Sequence, residues 1–310
     1  MTKSFKALTQ EAYDALKPYY SKYISEIHDL NLTNLLIWRG KHEIHYYESD
    51  GYLWFVYQPR NPFNMMFSEP IGDYHDLEAL KQATLNWHKY CVAHDLPLKL
   101  RHIGDYFKQV LTDLDLIQSI EPIHDDFDYV YESIDLANLT GNKFHKKKNH
   151  LNQFMKRYEG QYEVAEISES NAEDALAAAR NWCISYGCGD TPDLCHEYHG
   201  IHEILTNWNL YANRGLEGVL IFVEKEPIAL TFGEMIQNDT FLVHIEKADS
   251  NIQSAYTAIN HAMANRIYNR CLYVNREQDM GIEGIRKAKS SYHPHHLVAK
   301  YDCMIKKSQH

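Results

Sequence analysis

The chain has 310 residues, 45% hydrophobic and 13% aromatic, enough to offset the entropy of ordering one large domain or two of about 150 residues. Its formal charge of −11 repels nucleic acid and anionic lipid at long range, so a polyanionic partner requires a local basic patch. No apolar run approaches the roughly 18–20 residues of a membrane span, Met1–Lys6 leads into a polar stretch, and six cysteines without a CxxC pair read as reduced thiols, which together predict a soluble cytoplasmic chain.

In chain order, the spacing of Ala12, Leu16, Tyr19, Tyr20, Tyr23 and Ile27 predicts a helix over the first 28 residues. His45–Tyr47 and Leu53–Tyr57, joined by Ser49-Asp50-Gly51, read as a hairpin, because Asp-Gly supplies positive-φ turn residues. A short strand at Asn64–Ser68 follows, then helix Leu77–Ala93, strand Leu98–Ile103, helix Tyr106–Leu116 and strand Tyr129–Ile134. Asp125, Asp126 and Asp128 read as a solvated turn. The order then repeats as helix Leu194–Tyr211, strands Gly218–Val223, Ile228–Ile236 and Phe241–Glu246, helix Ile252–Asn269, strand Leu272–Asn275, helix Ile282–Lys289 and strand His296–Ile305. Matching elements lie 175, 174 and 176 residues apart (Leu77 and Ile252, Leu98 and Leu272, Tyr106 and Ile282).

Each half therefore reads helix, three-strand meander, helix, strand, helix, strand, with a right-handed crossover between parallel strands. That is the order of a GNAT-type acyltransferase, in which the donor sits where two parallel strands splay, at the N-terminus of the crossover helix. The expected fold class is α+β: two tandem GNAT-like domains with mixed sheets flanked by helices. The turn-forming stretch Asp135–Gly141 divides them into 1–138 and 139–310. The first half lacks a polar constellation at its own crossover, Gly72–His75, which places any active site in the second half.

Two segments concentrate polar chemistry. Asn142–Tyr158 carries Lys143, Lys146, Lys147, Lys148, Lys156 and Arg157 with no acidic residue, leaving the remainder of the chain at −17. Phe144, Leu151, Met155 and Tyr158 should pack inward, with Lys146, His150, Gln153 and Arg157 on the opposite face, where they form either a solvated surface or a phosphate anchor. Asn275–Pro294 follows a strand and opens a helix, a common position for sites in open sheets. There Asp279 can cap the helix, Gly281 and Gly284 permit close approach, Glu283 and Lys287 are spaced to pair, and Arg286 and Lys289 share a face that can hold an anion.

Leu139–Phe154 and Asn275–Lys289 resemble the two most recognisable blocks of the phosphatidylglycerol lysyltransferase C-terminal domain family, and Glu246-Lys247-Ala248 with Ala255-Tyr256 resembles a third. The resemblance implies a tandem GNAT fold related to the Fem peptidoglycan aminoacyltransferases. It also implies transfer of an amino acid from aminoacyl-tRNA to an amine or hydroxyl of a small-molecule, peptide or lipid acceptor, with no cofactor required. Lipid-modifying members carry transmembrane helices ahead of this domain and none is present in these residues, so fold and reaction class are expected to carry over better than a lipid acceptor. On this reading Glu246, Asp279 and Glu283 are the candidate catalytic or amine-orienting carboxylates, and backbone N–H groups of Phe241–Glu246 face the oxyanion. Lys146, His150, Arg157, Gln253, Ser254, Tyr256, Asn275, Arg276, Arg286, Lys287 and Lys289 are the candidate donor- and phosphate-binding residues.

Two alternatives stand beside it. An acetyl-CoA-dependent N-acetyltransferase would cradle the CoA pyrophosphate at the crossover helix, but Asp249–Ala255 has no glycine and adds a negative charge. A non-catalytic ligand- or metal-binding protein would use Cys195, His199 and His202, at i, i+4 and i+7, or His293, His295 and His296. There is no HExxH, however, and such a stripe more commonly packs a helix, so no metal is expected.

Overall fold

Trp54 stacks on Trp87 at 5.1 Å between ring centroids, and this pair organises the first of two compact units. The computed structural model describes residues 5–185, 195–237 and 239–307, and the two units comprise residues up to 127 with those from 298 onward, and residues 128–297. In the first, strands β1 (Lys6–Ala7), β2 (His45–Ser49), β3 (Tyr52–Tyr57), β4 (Met66–Phe67), β5 (Lys99–Ile103) and β6 (Ile117–Pro122) share a sheet with the last strand, β14 (Tyr301–Ile305), in the order β1-β2-β3-β4-β5-β14-β6. All six residues of β3 are buried, so its aromatic alternation packs both faces of the sheet. Asp76 caps α3 (Leu77–Ala93) by accepting from the Ala79 N–H, and the helix covers β3 with Trp87.

The predicted N-terminal helix does not form. Among the described residues of this stretch only Tyr13–Leu16 (α1) is α-helical, followed by a 3-10 stretch at Lys17–Lys22, because Pro18 lacks an N–H and its ring clashes with a continuing turn. The helix of this region is α2 (Leu32–His42), started by Asn31, whose side chain accepts from the Asn34 N–H. The expected solvated turn holds at Asp125, which is exposed, and is corrected at Asp126 and Asp128. Asp126 accepts from His102 Nε2 at 2.9 Å, and Asp128 is fully buried, with Asn275 donating to it at 3.3 Å.

The second unit is built on β7 (Asp128–Glu132), β8 (Tyr162–Glu166), β9 (Leu216–Val223), β10 (Glu226–Ile236), β11 (Thr240–Ala248), β12 (Tyr273–Asn275) and β13 (His296–Val298), ordered β13-β7-β12-β11-β10-β9-β8. The expected division at residue 138 therefore moves. β7 ends the first half of the sequence but pairs with β12, while the predicted single strand His296–Ile305 is two strands that join different sheets. The order of elements in each half remains the GNAT-like one, with mixed sheets flanked by helices.

The remaining α-helices among the described residues are α4 (Asp105–Asp113), α5 (Ser133–Asn138), α6 (His145–Arg157), α7 (Ala172–Cys183), α8 (His196–Thr206), α9 (Trp208–Asn213), α10 (Ala255–Ile267) and α11 (Glu283–Ser290). The crossover helix α10 buries Ala255, Ala258, Ile259, Met263 and Ile267 against Val219, Ile221, Phe241 and Val243. β11 pairs in parallel with β12 only over Thr240–Leu242, and beyond Leu242 the two strands part. At the same level the β10–β11 register shifts between Phe232 and Gly233, leaving His244 as the extra residue of a bulge. Gly233 is needed there, because a Cβ would lie 2.1 Å from the Leu242 carbonyl oxygen. Gly233→Ala is expected to lower unfolding stability by about 3 kcal/mol, the upper end of core overpacking, read as a fall in denaturation midpoint.

Candidate functional site

The two polar segments of the sequence meet within the second unit. The stripe Phe144, Lys147, Leu151, Phe154 and Tyr158 turns inward from α6; Phe154 replaces the expected Met155, which is exposed. Lys147 therefore lies on the packed face, its ammonium 3.9 Å from the centre of the Tyr292 ring, just beyond α11. His293 approaches the Lys143 carbonyl at 3.1 Å, and His150 approaches Ser254, at the start of α10, at 3.4 Å. Burial and the charge of Arg276 push the Lys147 ammonium down to about 8, with Glu246 partly offsetting them.

The centre of the cluster lies where β11 and β12 diverge. Glu246 on β11 accepts from Arg276 Nη2 at 2.7 Å and from Asn260 Nδ2, on α10, at 3.0 Å. The Arg276 guanidinium also lies 5.5 Å from the Tyr131 ring centre and 4.9 Å from that of Tyr292. Burial opposes its charge, but Glu246 more than compensates, so Arg276 stays firmly protonated. Two buried polar atoms beside Glu246 have no hydrogen-bond partner among the described residues: Arg276 Nη1, a donor, and Asn260 Oδ1, an acceptor. Native structures seldom leave such atoms unmatched, and here they flank one carboxylate.

Asp279 closes the other side. Its carboxylate accepts from Arg286 Nε at 2.8 Å and Nη2 at 2.9 Å, from the Tyr129 hydroxyl at 2.6 Å and from the Gly281 N–H at 2.8 Å. Burial would raise its pKa, but these donors hold it down at about 2. Lys289 reaches under the same loop and donates to the carbonyls of Arg276, Glu277 and Gln278. Burial and Arg276 lower its ammonium to about 8. The loop backbone is left-handed at Glu277 and Met280 (φ 57° and 55°), a conformation that non-glycine residues keep only where their surroundings enforce it.

Of the residues singled out in the sequence, Glu246, Asn275, Arg276, Asp279, Arg286 and Lys289 come together. Asn275 does so structurally, donating to Asp128 and accepting from the Glu277 N–H. Lys146, Arg157 and Gln253 point to solvent, while His150, Ser254 and Tyr256 line the start of α10. The Tyr256 hydroxyl accepts from Trp182 Nε1 at 2.9 Å. Glu283 and Lys287 are exposed on α11 and make no hydrogen bond or ion pair with each other or with Asp279, so neither joins the cluster. They are helix positions on the turn facing water. Sequence reading missed Lys147, Asn260, Tyr129, Tyr131 and Tyr292. The signal for Lys147 was its place on the apolar stripe. Cys195, His199 and His202 do not gather into a metal-sized group among the described residues.

In the first unit the matching opening is closed by its own side chains. Beyond the parallel contact of Phe67 with Leu100, buried Glu69 accepts from the Tyr23 hydroxyl at 2.6 Å and from the Gly104 N–H, at the start of α4, at 2.7 Å. A carboxylate already occupies that helix N-terminus, with Tyr74 packed edge-on against Tyr23.

The family model for the C-terminal region of phosphatidylglycerol lysyltransferase matches residues 21–304. A conserved protein of unknown function from Bacteroides thetaiotaomicron is 30% identical, with a TM-score of 0.86 over 98% of this chain and 100% of that one. L-PGS from Bacillus licheniformis shares 10% identity at TM-score 0.66 (98% and 94% covered), and FemX shares 11% at 0.61 (98% of each). No curated protein sequence matches. No helix among the described residues is long and apolar enough to cross a membrane.

Proposed function

Because the chain belongs to the phosphatidylglycerol lysyltransferase C-terminal family, we propose that its second unit transfers an aminoacyl group from the 3′ end of a charged tRNA to an amine or hydroxyl acceptor. The observation that carries this reading is the unmatched donor and acceptor on either side of Glu246. An aminoacyl ester brings an ammonium, which seeks carboxylate and carbonyl oxygens, and an ester carbonyl, which seeks a donor. Glu246 and Asn260 Oδ1 serve the first, and Arg276 Nη1 serves the second. The edge of β11 that parts from β12 adds backbone N–H groups near the developing oxyanion. As the acceptor attacks, its nitrogen or oxygen forms the new bond to the carbonyl carbon, the C–O bond to the tRNA ribose breaks, and the proton the acceptor loses ends on the leaving ribose oxygen.

Lys147 supplies charge for the terminal phosphates, while the exposed Lys146 and Arg157 extend the same sign along α6. Lys147→Met is expected to weaken binding of charged tRNA about tenfold and to reduce the slope of log affinity against log salt by about one. Unchanged slope and affinity would remove Lys147 from the interface. Coenzyme A as donor is disfavoured by Asp249, whose carboxylate already accepts from the Asn251 backbone and side chain ahead of α10.

A further inference from the structure

His244 is fully buried on β11 as the extra residue of the bulge, and neither the sequence blocks nor the transfer step uses it. Its Nε2 meets Glu234 of β10 at 3.0 Å, and its Nδ1 lies 3.9 Å from Glu277 in the loop after β12. Glu277 is one of the left-handed residues of that loop and neighbours Arg276, which holds Glu246. Bulges re-aim side chains near functional sites. In a regular strand residue 244 would fall in register opposite β10; here the ring spans from β10 to a loop beyond the diverging β12.

We propose that His244 is a positioning residue, an imidazolium wedge between Glu234 and Glu277 that holds the loop of residues 276–281 in the conformation the transfer site needs. That function rests on the aminoacyl-transfer reading; the wedge itself does not. The charged groups bearing most strongly on His244 are the two carboxylates, one from β10 and one from the loop, while Lys289 of α11 donates to the Glu277 carbonyl from the loop's other side. Burial alone would lower the imidazole, but the two carboxylates hold it up at about 9. A raised histidine stabilises below its unfolded pKa of about 6.5 and loses that contribution as pH rises through the folded value, so the loop should loosen near pH 9.

Amide hydrogen exchange of residues 276–281, corrected for intrinsic rates and followed from pH 5 to 10, tests the wedge without any substrate. In the wild type, protection is expected to fall at least tenfold across pH 9. In His244→Gln the two carboxylates lose the cation between them, so loop protection at pH 7 should fall at least tenfold below that of the wild type. The double variant His244→Gln, Glu277→Gln removes one of the facing charges and should regain protection at pH 7, leaving only the step near pH 8 that Lys289 gives the same loop. Protection of β9 and β10 reports folding in each case and should hold. Equal loop protection in the wild type and His244→Gln at every pH would overturn the proposal, whatever the transfer assays show. Where transfer is measured, His244→Gln should lower kcat more than it raises KM and shift the pH profile toward acid; a uniform loss would leave only a structural role.

Discussion

Replacing Arg276 with alanine is expected to cost about 3–5 kcal/mol of unfolding stability and to abolish transfer. Arg276 and Glu246 are largely buried partners 2.7 Å apart, and removing the cation strands a carboxylate among Tyr131, Tyr292 and Asn260. The same physics separates structure from chemistry. Exchanging both partners for apolar residues of similar size, Arg276→Met with Glu246→Leu, removes both desolvation penalties and is expected to return stability to within about 1–2 kcal/mol of the wild type. Transfer should stay absent, because the ammonium and carbonyl contacts go with the pair. Denaturant midpoints with a transfer assay on all three proteins check this. A double variant that is stable and fully active would exclude the pair from the reaction.

Asp279→Ala is expected to cost about 2–3 kcal/mol and to release the loop that carries Arg276. The carboxylate gathers donors from the Arg286 guanidinium, the Tyr129 hydroxyl and the Gly281 amide, and its loss leaves the buried ones unmatched. The acid dependence carries a signature. A carboxylate depressed from 3.8 to about 2 contributes stability above its unfolded pKa and loses it as pH falls through the folded one. Wild-type stability should therefore drop by about 1–2 kcal/mol between pH 4 and pH 2 from this group, a portion Asp279→Ala lacks. Urea titrations of both proteins across that range measure it. Arg286→Ala should reproduce much of the loss of loop order, since it removes two of the donors.

The convergence of the lysine-rich helix with the tail segment was legible in the sequence, because both are unusual in type and spacing. What holds them together was less so. Lys147 reads as one of a run of lysines until the stripe Phe144, Leu151, Phe154, Tyr158 places it inward. Asn260 is an unremarkable polar residue inside a helix, and only its partner across the sheet gives it meaning. His244 gains its role from a one-residue bulge, and a slip of one residue reverses the face of every side chain beyond it. Helix α7 was missed because Ala172, Ala175, Ala178 and Ala179 bury little apolar surface and leave no strong stripe. The exchanged strands β7 and β14 were invisible for another reason: each lies where a strand should be, and a strand's own pattern does not name its partner.

Binding of a hydrolysis-resistant 3′-aminoacylamino-3′-deoxyadenosine, offered with each of the amino acids in turn and measured by titration calorimetry, tests the account most directly. At least one member should bind the wild type and lose at least tenfold in Glu246→Gln, with coenzyme A and acetyl-CoA giving no heat. Saturable binding of acetyl-CoA with none of the aminoacyl nucleosides recognised would contradict it.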